Sequence, residues 1–214
     1  MGRPGTPTRV KRDESSGASE TRQALIQAAI DALREDGFGG ASARTIAARA
    51  GCNQGLVFYH FGSVAKLLLA ALDEVSARRL QHYQTAVHGA ASFEALVGVA
   101  AAIFQEDLDE GYVTVLAEMI AGASSTPGLG PEVAKRIRPW RTFADRAIGN
   151  VLADTALEAV VPRESVGHAV VALYLGLELL AHVDGDRRPA AALFDRAATL
   201  APLVGALTTG RGPS

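Results

Sequence analysis

Ser42-Ala-Arg-Thr-Ile-Ala-Ala-Arg-Ala-Gly51-Cys-Asn-Gln-Gly-Leu-Val-Phe-Tyr-His-Phe61 decides the fold. It reads as two short helices joined by a tight turn. Ser42 can accept a hydrogen bond from an orphan amide of the first helix, on which Ile46, Ala47 and Ala50 share one face. Gly51 follows where a left-handed residue ends a helix without Cβ strain. Asn53 is placed to cap the second helix, on which Val57 and Phe61 point inward. At about 100° per residue, Gly55, Leu56 and Tyr59 then face outward. A short helix with one outward face and a free N-terminus has the shape that enters a major groove.

Around this stretch, 214 residues and an apolar share of 48% give length for one large or two small domains and material for a core. The net charge of −2 gives no overall pull towards nucleic acid, but its distribution does. Residues 1–62 hold eight Lys and Arg against six acids, and the remainder 13 against 17, so attraction to phosphate is local to the N-terminal end. The single Cys52 excludes an intramolecular disulfide framework and reads as a small buried apolar residue of the turn. The charged N-terminus lacks the apolar core of a signal peptide. The longest apolar run, Ala169 to Leu177, stops at Glu178, well short of a membrane span. The expectation is a soluble, cytoplasmic protein without a membrane partner.

Residues 1–18, rich in Gly, Pro, Ser and Thr, read as a flexible basic tail carrying Arg3, Arg9, Lys11 and Arg12. A first helix starts at Ser19, buries Leu25, Ile26, Ala29, Ile30 and Leu33, and closes at Gly37. After the pair already described, Gly62-Ser63 caps a long helix with Leu68, Leu72, Val75 and Tyr83 on its apolar face. Helices through Ile103, through Tyr112, Leu116 and Ile120, and from Pro131 with a kink at Pro139 follow. In the last two helices Val166, Val170, Leu173, Leu177 and Leu180, and then Leu193, Ala197, Leu200 and Val204, step at heptad-like spacing. Leu175 and Leu179 add a second apolar face to the first of them, which suits a second copy of the chain. With no convincing strand alternation, the class is all-α with about nine helices. The division is 19–66 for an N-terminal domain (motif about 42–61) and 67–210 for a larger helical domain.

Thr21-Arg22-Gln-Ala-Leu-Ile, Asp36-Gly-Phe, Ile46-Ala-Ala-Arg-Ala-Gly51 and Tyr59-His-Phe-Gly-Ser63 with Leu67-Leu68 together resemble the DNA-binding region of the TetR family of transcriptional regulators. The resemblance covers about 50 residues. It implies a homodimer that binds a palindromic DNA operator, usually as a repressor. It also implies a small molecule that enters the C-terminal domain and moves the helix starting at residue 63. The family's DNA-contacting positions fall on Arg44, Asn53, Gln54, Gly55, Tyr59 and His60. Phe58 stands where the family usually has Tyr, and Val64 where it usually has Lys. Both lost groups donate to phosphate, so Lys66 and the basic tail are the expected compensation.

Phe104, Met119, Trp140, Phe143, Tyr174 and Glu178 are the candidates for a mostly apolar effector pocket. Glu178 interrupts an apolar run and needs a partner if buried, either a ligand group or His182 one turn on. Val166, Val170, Leu173, Leu177, Leu193, Leu200 and Val204 are the expected dimer interface. His60, His82, His88, His168 and His182 share no metal-ligand spacing, and no phosphate loop or nucleophile elbow is present, so no metal, cofactor or catalytic residue is expected. The alternative function is a constitutive DNA-binding or structural protein with no ligand.

Overall fold

The computed structural model describes residues 10–153 and 163–209, with side chains over 17–153 and 165–203, and among these all regular structure is helical. The chain divides between Glu74 and Val75 into two compact units, later than the boundary expected at 66/67. The division falls inside a helix.

The N-terminal unit holds α1 (Val10–Glu35), α2 (Gly37–Gly40), α3 (Ala43–Arg49), α4 (Gly55–Phe61) and the first part of α5 (Val64–Val87). α1 begins at Val10 rather than Ser19, so Lys11 and Arg12 belong to a helix, while Arg3 and Arg9 lie outside the described residues. The expected stripe is its buried face: Leu25, Ala29 and Leu33 are fully buried, flanked by Ile26 and Ile30. Ile46, Val57, Leu67 and Leu72 complete this core. Burying each such side chain stabilises by about 1.5–3 kcal/mol. Gly37 takes φ 70° and turns the chain out of α1. The single turn of α2 was not expected. It depends on Gly40, because a Cβ there would lie 2.5 Å from Asp36 Cβ.

The C-terminal unit holds the rest of α5 with α6 (Phe93–Glu110), α7 (Tyr112–Ala123), α8 (Leu129–Leu152), α9 (Arg163–Asp184) and α10 (Arg188–Thr209). Its main packings are α8 on α9 and α6 on α10, with α7 touching α6, α8 and α9. The α7 stripe is rotated from the one expected. Val113, Val115 and Met119 are buried, while Ile120 is 45% exposed, because a helix apolar on most sides does not announce its buried face. α8 runs on through Pro139, and Pro131 falls within its first turn. α8 and α9 meet at Gly167, where a Cβ would come within 2.6 Å of Asp145 Cγ and 3.1 Å of its backbone nitrogen.

Ser165–Asp184 of α9 is, by length and composition, long and apolar enough to cross a membrane. The uninterrupted run from Ala169 to Leu177 understated it, since a span tolerates a buried charge. That charge, Glu178, is fully buried and ion-paired to another helix of the unit.

Ser42 and Ser92 cap α3 and α6, accepting from Thr45 N–H and Ala95 N–H, each at 3.1 Å. Replacing Ser42 with Ala should cost the fold about 1 kcal/mol, read as a lower urea midpoint at unchanged slope. An unchanged midpoint would show that water serves that amide equally well.

Candidate functional site

The helix pair of the N-terminal unit is built as its residues direct. Gly51 takes φ 65° after α3, and Cys52 N–H donates to Ala47 O at 3.0 Å, which folds the turn back on the helix it leaves. Asn53 Oδ1 accepts from Gly55 N–H at 2.7 Å, but Gln54, already helical, occupies the cap position itself. Val57 is fully buried; Phe61 is half-buried with the Arg22 guanidinium 5.2 Å from its ring centre. Across the break at Gly62 and Ser63, α4 and α5 are bent by 66°.

What remains outside is a face with no packing duty. Tyr59 is 79% exposed and Phe58 47%, an arrangement an apolar ring adopts only at a cost in water. Arg44, Asn53, Gln54 and Gly55 are exposed beside them, and His60 is half-buried with its ring edge-on to Tyr59 at 5.0 Å. Lys66 is exposed in the first turn of α5, its N–H donating to Ser63 Oγ at 3.2 Å and its Nζ lying close to Gly62. Leu56, expected to face outward, is half-buried instead, and so is Cys52, expected to be buried. Arg49 was not singled out, and it forks onto two carboxylates: Nη1 to Glu35 at 2.6 Å and Nη2 to Asp36 at 2.8 Å. Its charge thereby ties α3 to the end of α1.

The C-terminal unit gathers the expected pocket residues around a polar cluster. Arg79, on α5, donates from Nε to Asp107 Oδ1 at 2.8 Å and from Nη2 to Glu178 Oε1 at 2.6 Å, and Nη2 also pairs with Asp107 Oδ2. The hydroxyls of Tyr83 and Tyr174 both reach Asp107 Oδ2, the latter at 2.9 Å, and touch each other. All three charged groups are buried, Glu178 completely. Rings surround them. Tyr83 meets Trp140, Phe143 and Tyr174 edge-on at 5.3, 6.0 and 5.9 Å, and Phe104 meets Tyr174 at 5.3 Å. The Arg79 guanidinium lies 5.4 to 5.7 Å from the centres of Tyr112, Trp140 and Tyr83. Met119 is fully buried on α7.

Glu178 therefore has a partner, and it is Arg79, not His182, which is exposed. Glu178 Oε2 is buried with no hydrogen-bond partner among the described residues. Burial pushes the Glu178 carboxyl up to about 7, helped by the nearby Asp107 charge and opposed by Arg79. Burial also raises both phenols. Arg79 would be lowered by burial, but its bonds to Asp107 and the Glu178 charge outweigh that and raise it further.

Along α9 and α10 the expected seam is largely uncovered. Val170, Leu173, Leu180, Leu193 and Leu200 are exposed, joined by Val183 and Leu203, while Val166 and Leu177 are half-buried. The side chain of Val204 lies outside the described residues.

Residues 25–71 match the profile of the bacterial regulatory proteins of the tetR family. The HTH-type transcriptional repressor Rv3405c of Mycobacterium tuberculosis is 41% identical over 78 residues, which are 36% of this chain and 42% of that protein. The chain thus matches about two-fifths of its curated relative's length. Among solved structures, a TetR-family regulator from Cytophaga hutchinsonii aligns with TM-score 0.73 at 16% identity, over 91% of this chain and 98% of that one. FadR from Bacillus subtilis, in complex with stearoyl-CoA, aligns with TM-score 0.67 at 13% identity, over 89% and 99%. At such identities these structures share the fold.

Two outcomes test the interior cluster. Arg79→Ala strands two buried carboxylates and should cost about 3–5 kcal/mol in urea unfolding. Because native Glu178 holds its proton more tightly than the unfolded chain does, its contribution is most favourable below about pH 4.5 and declines as pH rises towards 7. Glu178→Gln should flatten that decline; a parallel pH profile in the variant would sink the assignment.

Proposed function

We propose, on the premise that the chain belongs to the TetR family of bacterial transcriptional regulators, that it is a repressor released from DNA by a small, mostly apolar effector. The single observation that carries the DNA-binding part is the uncovered face of α4, where Tyr59 stands 79% exposed two residues from a fully buried Val57. Gln54, Gly55 and Asn53 open this short helix, so amides and amide side chains are offered together at its N-terminus. Arg44 on α3, with Tyr59, His60 and Lys66, supplies the phosphate contacts. The likeness of this region to a mycobacterial repressor supports the direction of regulation.

The operator is palindromic because the working form is a homodimer. The uncovered stripes of α9 and α10 support this, since exposed leucines at heptad spacing on two neighbouring helices suit a four-helix seam with a second copy. Two reading heads then meet half-sites about one or two helical turns apart, each turn roughly 34 Å. On this reading the protein works in the cytoplasm, with the DNA.

The effector enters the C-terminal unit, where Phe104, Met119, Trp140, Phe143 and Tyr174 supply apolar and aromatic contacts around Glu178. FadR of Bacillus subtilis, of the same fold, forms a complex with stearoyl-CoA, and that supports the reading of an effector with an apolar part. The rival, a regulator with no ligand, gains support from the way Arg79 already satisfies Asp107.

The deciding experiment is a mobility shift with DNA upstream of the gene and its neighbours, looking for an inverted repeat. Gln54→Ala and Tyr59→Ala should each weaken that binding by about tenfold, within the range of about 1–3 kcal/mol per good contact. Lys66→Ala should flatten the log–log salt slope by about one, as expected for one phosphate contact. Leu173→Glu or Leu200→Glu should leave a folded monomer in sedimentation that no longer holds the operator. A wild-type monomer that binds a full inverted repeat would overturn the dimer.

A further inference from the structure

We propose that Glu178 is the docking point for the cationic head of the effector, a protonated amine carried on an apolar, ring-bearing body. The inference rests on the effector reading above and gives it a chemical class. It begins from an imbalance of donors and acceptors inside the C-terminal unit. Asp107 Oδ1 takes Arg79 Nε–H, and Asp107 Oδ2 takes Arg79 and both tyrosines. Glu178 Oε1 takes Arg79 Nη2. Glu178 Oε2, in a side chain with no exposure at all, takes nothing. A buried acceptor left unmet is costly, more so when charged.

Charge points the same way. Two carboxylates share one guanidinium, so the cluster carries one negative charge more than it neutralises. Protonating Glu178 removes the charge and lets the two carboxyls share the proton, as the upward push from Asp107 reflects, but that proton is given up as pH rises past about 7. A neutral alcohol would meet Oε2 and leave the charge. An anion would face both carboxylates and compete with them for Arg79. Once that proton is gone, a cationic donor is the ligand group that answers both deficits at once.

The surroundings suit its body. Tyr112, Trp140, Phe143 and Tyr174 are half-buried, so aromatic faces lie between solvent and the cluster. Two of these rings, Tyr112 and Trp140, together with Tyr83, already lie 5.4 to 5.7 Å from the Arg79 guanidinium, the range at which π faces attract cations. The groups facing Glu178 are Arg79 and Tyr83 from α5, Asp107 from α6, Tyr174 from α9 itself, and Tyr112 of α7 through Arg79. From α8 and α10 the cluster receives the uncharged Trp140, Phe143 and Phe194.

Three isosteres make the test: 2-(1-naphthyl)ethylamine, 2-(1-naphthyl)ethanol and 1-naphthylacetate, titrated calorimetrically into the full-length protein at pH 8. The amine should bind about tenfold or more tightly than either of the others. Glu178→Gln should reduce that preference to within about threefold. Should the variant fail to fold, lowering the pH to 6 for the wild type serves instead, because Glu178 takes up its proton while the amine keeps its own. The proposal is overturned if the alcohol or the carboxylate binds as well as the amine, if the preference survives both changes, or if none binds at about 1 mM. Release of promoter DNA is followed in parallel. Probes that release DNA without charge preference would overturn the cationic head and leave the regulator reading intact. Charge-selective binding that leaves DNA bound would support the docking point and count against its role as effector site.

Discussion

A guanidinium does not lose its proton inside a protein, so Arg79, buried to all but 7% of its surface, obliges the C-terminal unit to bring it acceptors. It receives them from two other helices: Asp107 on α6 and Glu178 on α9. Each contact fixes an azimuth and a height, because sliding α9 by one turn would remove Glu178 from Nη2. Tyr83 and Tyr174 sit one turn from Arg79 and Glu178 on their own helices and close the arrangement at Asp107. Apolar packing alone tolerates several registers of one helix on another; a shared charge does not. Such a cluster is better understood as setting which arrangement forms than as adding stability, since desolvation offsets much of its attraction.

The N-terminal unit obeys a different logic. Its core is apolar, its turns are made by glycines with left-handed backbones, and its caps are hydroxyls from adjacent residues. The ion pairs of Arg49 with Glu35 and Asp36 lie at the surface and join elements separated by a single short turn. Everything that shapes the outward face of α4 lies within a few dozen residues of it.

That contrast explains what could be read from the chain alone. The α1 stripe, the Ser42 cap, the Gly51 turn and the burial of Val57 are local consequences of spacing, and all were legible. Glu178 was legible as a question, since an acid in an apolar run demands a partner. Its answer was not, because Arg79 stands 99 positions away and looks like any helix-surface arginine. Tyr83 was read only as part of an apolar face, although its hydroxyl is what counts. The α7 stripe went wrong for a related reason: when most faces of a helix are apolar, its neighbours decide which is buried. The seam of α9 and α10 was legible as a pattern, and Val183 and Leu203 extend it further than its heptad spacing indicated.

Gly167 carries a consequence of another kind. At that position α8 and α9 approach until the Asp145 side chain and backbone fill the space a Cβ would need. Any missense change in a glycine codon introduces a residue with a Cβ. Position 167 therefore has no neighbour one nucleotide away that leaves the contact with Asp145 as it is. The fold leans here on a residue with no chemistry of its own, and a survey of tolerated variants should be depleted at that position.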